Sequence, residues 1–312
     1  MCISALAFGA WISQDLVRKA NRNQSIPHYM HGDPDLGYEV VPTNIAYTAE
    51  MLKLAYDEWD YSEPSPQAAA WKKWTKGHLV KGQPVVMMPL CQGDSHSCYP
   101  FSCPNGGHMD HVEPIFGIFS NHSFDDPDVY DDDVILHASD QDLQTYYRPM
   151  STLEDSVEMD NNCAAAQAGF GLNEMYPCID ESVTYSLAVM GFAVNDEDSS
   201  LVPVALTVNV PNASEPDVRR GEEPVQLFGV VTVGPGLVQG ARYSLYRFSG
   251  TDSLPQSPPF DVGYEHVFSF EYDTEDDEAA DPGFFVYEDP NPFFSDTAVY
   301  YLAVWISEPT NE

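Results

Sequence analysis

From about residue 184 onward the chain never sustains a helical stripe of useful length, and this is the tightest constraint on its fold. Seven short apolar or alternating runs stand there instead, at residues 185–193, 202–210, 225–233, 241–248, 264–272, 283–287 and 298–306. Gly, Pro and Asp separate them, as in the stretch from Pro255 to Pro259 and in Asp289-Pro-Asn-Pro. Evenly spaced runs of this kind predict an antiparallel sandwich of immunoglobulin or fibronectin type over residues 184–312.

The first 150 residues read differently. Ile3, Leu6, Ala10, Val17 and Ala20 recur at helical spacing, which predicts one amphipathic helix ending near Asn21 to Asn23. A second helix is expected from about Asn44 to Tyr56. A third follows Ser65-Pro66, an N-cap and a first-turn proline, through Trp71 and Trp74 toward Gly82. Strands are expected at residues 85–88, 112–119 and 134–137. Helices first and strands second is an α+β order. Residues 151–183 read as an irregular connector between a domain at 1–150 and the sandwich at 184–312.

Charge narrows the function classes. Thirteen basic against 49 acidic residues give a formal net charge of −36, on a chain that is 43% hydrophobic and so able to bury a core. Residues 151–312 hold 29 of the acids with four arginines and no lysine. Nucleic acid and anionic membrane surfaces are polyanions and are disfavoured as partners. No run approaches 18 apolar residues, so no membrane span is expected.

The six cysteines include no CxxC pair, which disfavours a zinc ribbon, even with His96, His108 and His111 near Cys91, Cys98 and Cys103. Disulfides in a secreted protein fit better, with Cys98–Cys103 and Cys163–Cys178 as the pairings favoured among several open connectivities. Sequons at Asn23, Asn121 and Asn212 also point to a secreted glycoprotein. No basic residue precedes the apolar stretch after Cys2, so targeting information is expected upstream of Met1.

Two clusters carry candidate chemistry. Asp125, Asp126, Asp128, Asp131, Asp132 and Asp133 crowd around Pro127. Oxygen ligands at that density make a candidate calcium site, although the spacing is not that of an EF-hand loop, and a solvated acidic face is the alternative. His111 at the start of one expected strand and Asp140 at the end of the next could form an imidazole–carboxylate pair, in which the acid fixes the tautomer. Asp142 competes for the acid's role.

A resemblance bears on that pair. Trp11-Ile-Ser-Gln, Tyr56-Asp-Glu-Trp-Asp, Lys81-Gly-Gln-Pro-Val-Val, Asp110-His111-Val-Glu-Pro-Ile-Phe-Gly-Ile, Ser120-Asn-His, Tyr130-Asp-Asp-Asp-Val-Ile and Ser139-Asp140 follow one another along the first half. Val231-Thr-Val-Gly-Pro-Gly-Leu-Val and Tyr243-Ser-Leu-Tyr-Arg-Phe extend the series into the second. In this order they resemble secreted relatives of the bacteriocin-processing, papain-like cysteine peptidases. The resemblance implies an α+β papain-like domain, a protein or peptide substrate, His111 and Asp140 as catalytic partners, and a nucleophile in a Cys-Gly-Glu-x-Ser segment opening the first helix. That segment is absent, and Cys2 is the one cysteine near the required element. Two functions are therefore expected. One is a secreted cysteine-peptidase-like protein, inactive unless a nucleophile lies upstream. The other is a non-catalytic extracellular structural or binding glycoprotein, which self-associates, meets matrix partners or binds Ca²⁺ through acidic surfaces.

Overall fold

A computed structural model describes residues 2–22, 45–59, 67–87, 90–92, 108–110, 113–138, 145–152, 186–194, 200–209, 225–273 and 283–307. Of these, 45% are strand and 18% are α-helix. The chain divides into two compact units that interleave in sequence: one holds residues 21–49 and 56–190, the other 2–20, 50–55 and 191–312.

The first unit is built on a six-stranded sheet. Its strands are β2 (Leu54–Glu58), β3 (Val85–Met87), β6 (Glu113–Phe119), β7 (Val134–Ala138), β8 (Thr145–Pro149) and β9 (Ser186–Phe192), in the order β2-β9-β3-β6-β7-β8. The β9–β3, β3–β6, β6–β7 and β7–β8 pairings are antiparallel. A separate two-stranded antiparallel sheet pairs β4 (Leu90–Gln92) with β5 (His108–Asp110). Helix α4 (Gln67–Leu79) packs on this sheet, and Trp71, Leu79, Val85, Met87, Ile115, Ile135 and Ala188 close a dry core. Trp71 is fully buried and its indole N–H donates to Ser186 Oγ at 2.8 Å, so the helix is tied to β9 by a satisfied polar contact as well as by packing. The helix stops at Gly82, which takes φ +71°. Gly82 N–H donates to the Leu79 carbonyl and Gln83 N–H to the His78 carbonyl, the paired bonds of a Schellman cap.

The second unit is two antiparallel sheets sharing one core. One sheet runs β1 (Ala10–Ile12), β17 (Ala298–Ser307), β13 (Arg242–Ser249), β14 (His266–Glu271), with β10 (Leu201–Val202) also paired to β17. The other runs β11 (Val204–Asn209), β12 (Gln226–Val233), β15 (Phe285–Glu288), with β16 (Phe293–Phe294) paired to β12. Alternation selects the faces. Leu227, Val231 and Val233 of β12 face Tyr243 and Leu245 of β13 and Val299, Tyr301 and Ala303 of β17 across the shared core.

The α+β papain-like domain expected at 1–150 is not what forms. The described residues are dominated by strands, and the four α-helices they contain are five to thirteen residues long. The long first helix, the element that would have carried a nucleophile, is broken into α1 (Cys2–Leu6), strand β1 and α2 (Gln14–Arg22). Gly9 at φ +82° ends the first piece, and Gly9 O accepts from Tyr301 N, which draws the next residues into a sheet. Ser13 then caps α2, its Oγ accepting from Leu16 N at 3.2 Å. The expected second helix shortens for a similar reason. After α3 (Ile45–Met51), Lys53 takes φ 59° and turns the chain into β2. Residues 186–190, at the start of the region expected to be sandwich, belong instead to the six-stranded sheet of the first unit.

Candidate functional site, an acidic loop built around lysine

Between β6 and β7 the chain makes the loop 120–133, and it folds over the ammonium of Lys76. Lys76 sits in the third turn of α4 with its side chain 1% exposed. Its Nζ donates to Asp133 Oδ2 at 2.9 Å and to the Asp128 carbonyl, and lies 5.1 Å from the centre of the Tyr130 ring. Three kinds of acceptor thus replace the water a buried ammonium would lose. Asp133 is itself fully buried and also accepts from Tyr130 N–H at 3.0 Å. Burial alone pushes its carboxyl up. Hydrogen bonds from Ser120, Tyr130 and Lys76, with the lysine charge, outweigh that and hold it below the usual carboxylate value.

The remaining acids are held by the loop's own donors. Asp126 accepts from Asp128 N–H at 3.0 Å and from the Tyr130 hydroxyl at 2.7 Å, which keeps its carboxyl below the usual range and pushes the Tyr130 phenol up. Asp132 accepts from Asn121 Nδ2 at 2.9 Å and faces His122 Nε2 at 3.1 Å; the Asn121 bond is the main reason its carboxyl is lowered. The His122 ring stacks on Tyr130 with centroids 3.6 Å apart. Lys73, one turn before Lys76, reaches Asp128 Oδ1 at 2.7 Å on the exposed rim. Asp125 and Asp131 are exposed.

Asp126, Asp128, Asp131, Asp132 and Asp133, five of the six aspartates of the candidate calcium cluster, are therefore neighbours, but the carboxylates of Asp126, Asp128, Asp132 and Asp133 accept from protein N–H, O–H and ammonium groups. Among the described residues no group of three or more His, Cys, Asp or Glu side chains is arranged to hold a metal ion. Sequence reasoning missed the lysine. Its signal was Lys72-Lys73-x-x-Lys76 on one helix, in a chain with so few cations.

His111 and Asp140 lie outside the described residues, as do Cys98, Cys103, Cys163, Cys178, Asn23 and Asn212. Asn121 is exposed on the acidic loop. Cys2 opens the five-residue α1, and burial pushes its thiol up, against the shift a thiolate nucleophile requires. Other histidines of the first unit do meet carboxylates. His78 Nε2 lies 3.0 Å from Asp57 Oδ2, with Gln83 Oε1 2.7 Å from Nδ1 and Trp74 Nε1 donating to the same Asp57 oxygen. His137 Nδ1, on the 1%-exposed ring, is 3.1 Å from Glu113 Oε2. His78 has both ring nitrogens engaged, by Asp57 and Gln83.

Among the described residues, the second unit holds a buried charge network around Arg247 and Asp289. Arg247 donates to Asp289 Oδ2 at 2.9 Å and to the carbonyls of Asn291 and Pro292, and Tyr301 donates to the same Asp289 oxygen at 2.6 Å. Asn291 N–H and Nδ2 satisfy the other oxygen. Every partner belongs to the unit's own strands and turn, which makes this a clamp fixing the 289–292 turn to β13 and β17.

No helix among the described residues is long and apolar enough to cross a membrane. Comparison of the sequence with models of known protein families and with characterised proteins finds no match.

Proposed function

We propose that this is a non-catalytic extracellular binding protein that presents a pre-shaped acidic loop to a cationic protein partner. The observation that carries the reading is the Lys76-centred loop. Its inner carboxylates, Asp126 and Asp133, are held by protein donors, so the loop's shape does not depend on a metal, while Asp125, Asp131 and Asp132 remain at the surface. A rigid patch of one sign loses little conformational entropy on binding and accelerates encounter with the opposite sign. Burial pushing the Cys2 thiol pKa up and an architecture dominated by strands favour this reading over the peptidase one. The cysteine pattern and sequons support an extracellular setting.

A labelled oligolysine peptide tests it by fluorescence anisotropy. Binding should weaken at least about fivefold when Asp125, Asp131 and Asp132 are replaced by Asn, since each surface charge is worth up to about 1 kcal/mol. Neutral replacements at the exposed Asp252, Glu288 and Asp296 (Asn, Gln and Asn) should change it less than twofold, roughly the effect of diffuse charge. Equal losses in the two triple variants would reduce the binding to net charge and remove the proposal.

A further inference from the structure

We infer that the outer edge of β14 is a docking site for one extended segment of a partner protein, apolar in its middle and carrying Lys or Arg at both ends. The inference rests on the binding-protein reading but uses the second unit and not the acidic loop of the first. Among the described residues β14 is the last strand of its sheet and pairs with β13 alone. Hydrogen-bonding direction alternates along an antiparallel strand. Tyr272 N–H donates to the Ala241 carbonyl, so Phe270 and Phe268 face β13, and the backbone groups of Glu271, Ser269 and Val267 face outward. The Ser244 and Ser269 hydroxyls, 2.8 Å apart, fit this phase, because side chains approach most closely at the pairs that share no backbone bonds.

Soluble proteins usually blunt such an edge with Lys, Pro, a bulge or an inward charge. The β14 sequence His-Val-Phe-Ser-Phe-Glu has none of these at its centre, where Val267 is 46% exposed. The strand is also rigid. Phe268 and Phe270 stack on Tyr287 and Phe285 of β15, with centroids 4.4 Å and 3.9 Å apart, so an incoming strand meets a preformed edge.

Charge selects the occupant. Asp261 and Glu265 precede the strand, Glu271 ends it and Asp273 follows, which places acids at both ends of an apolar centre; Glu265 and Glu271 also reach Arg247 and Arg242 of β13 at 3.4 Å and 3.3 Å but stay exposed to a partner. A second copy of this chain would bring the same acids together in a molecule of net charge −36, whereas a segment ending in Lys or Arg pairs with them.

Two substitutions at one residue separate backbone from side chain. Ser269→Ala removes the hydroxyl and keeps the outward N–H; Ser269→Pro removes that N–H at an edge position that tolerates proline. The probe is a fluorescein-labelled decapeptide with alternating Val and Thr between Lys-Arg ends, and its control has the same ends with the alternation broken by two prolines. Anisotropy should show the probe binding wild type and Ser269→Ala within about twofold, and Ser269→Pro at least about tenfold more weakly, as expected for a lost ladder bond and its neighbours. The control should not bind. Equal binding to the two Ser269 variants, or equal binding of probe and control, would overturn the inference, as would wild type sedimenting as a dimer that Ser269→Pro makes monomeric. The variant with Asn at 125, 131 and 132 should bind the probe like wild type. Oligolysine binding to wild type with no decapeptide binding to wild type would sink the edge site and leave the acidic loop standing.

Discussion

The ammonium of Lys76 and the carboxylate of Asp133 meet 2.9 Å apart with both side chains closed off from solvent. This pair fixes the acidic loop to helix α4. Removing either partner leaves a buried charge with no counter-charge, which costs about 3–5 kcal/mol. Lys76→Met and Asp133→Asn should each lower unfolding stability by roughly that much in urea. The double variant should lose less than the sum of the two, because the second change removes the charge the first left stranded. Additive losses would show that the two groups do not act on each other.

Stability should fall in acid. Asp133 and Asp289 are buried, and both carboxyls are held below their usual 3.8 by hydrogen bonds and a nearby cation that outweigh desolvation. A carboxyl whose folded pKa is depressed contributes stability that is complete above its unfolded pKa and is lost as pH falls through the folded one. Chemical unfolding followed from pH 7 downward should therefore hold nearly level to about pH 5 and decline below about pH 4. In the Asp289→Asn variant the decline should be shallower from a lower starting point. A decline already under way between pH 7 and pH 6 would place the pH-sensitive groups elsewhere.

Gly9 tests how the N-terminal segment joins its sheet. It has φ +82°, and a Cβ there would lie 2.7 Å from Val204 Cγ1. Gly9→Ala should destabilise by about 2–4 kcal/mol, from backbone strain together with overpacking. Gly82→Ala, at φ +71° with open space around it, should cost only about 1 kcal/mol, the strain alone. Thermal unfolding of the two variants gives the comparison directly, and equal losses would mean that the Val204 contact is not tight.

In the clamp of the second unit, Tyr301→Phe removes a 2.6 Å bond to Asp289 while keeping the ring in the core. The expected cost is about 1.5–3 kcal/mol, the range for a hydrogen bond to a charged group. In an Asp289→Asn background the same change should cost less, since the acceptor is no longer ionised. A double-mutant cycle reads that coupling.

The strands were legible where alternation was strong. Leu227, Val231 and Val233 announce one buried face of β12, and the run at 298–306 is nearly β17 itself. The broken first helix was less so, although Gly9 and Ser13 are ordinary stop and start signals. Read as one stripe, the flanking Leu6, Ala10 and Val17 outweighed them, because a periodic pattern does not say which sheet will take its middle three residues. The papain-like expectation failed with that helix. The acidic cluster was visible as a cluster, but what sits among the acids was not. Lys76 and Asp133 are 57 residues apart in sequence, and nothing local pairs them.

Lys76 holds the acidic loop through Asp133 and the Asp128 carbonyl, and the proposed function needs no metal ion there. The most direct test is the thermal unfolding midpoint in EDTA, in 5 mM CaCl₂ and in 5 mM MgCl₂ at matched ionic strength. The account predicts midpoints that agree within about 1 °C in all three, since a ligand that does not bind the folded state does not move its stability. A midpoint higher by about 3 °C or more in Ca²⁺ than in Mg²⁺, the size of shift a specific site near saturation produces, would contradict it.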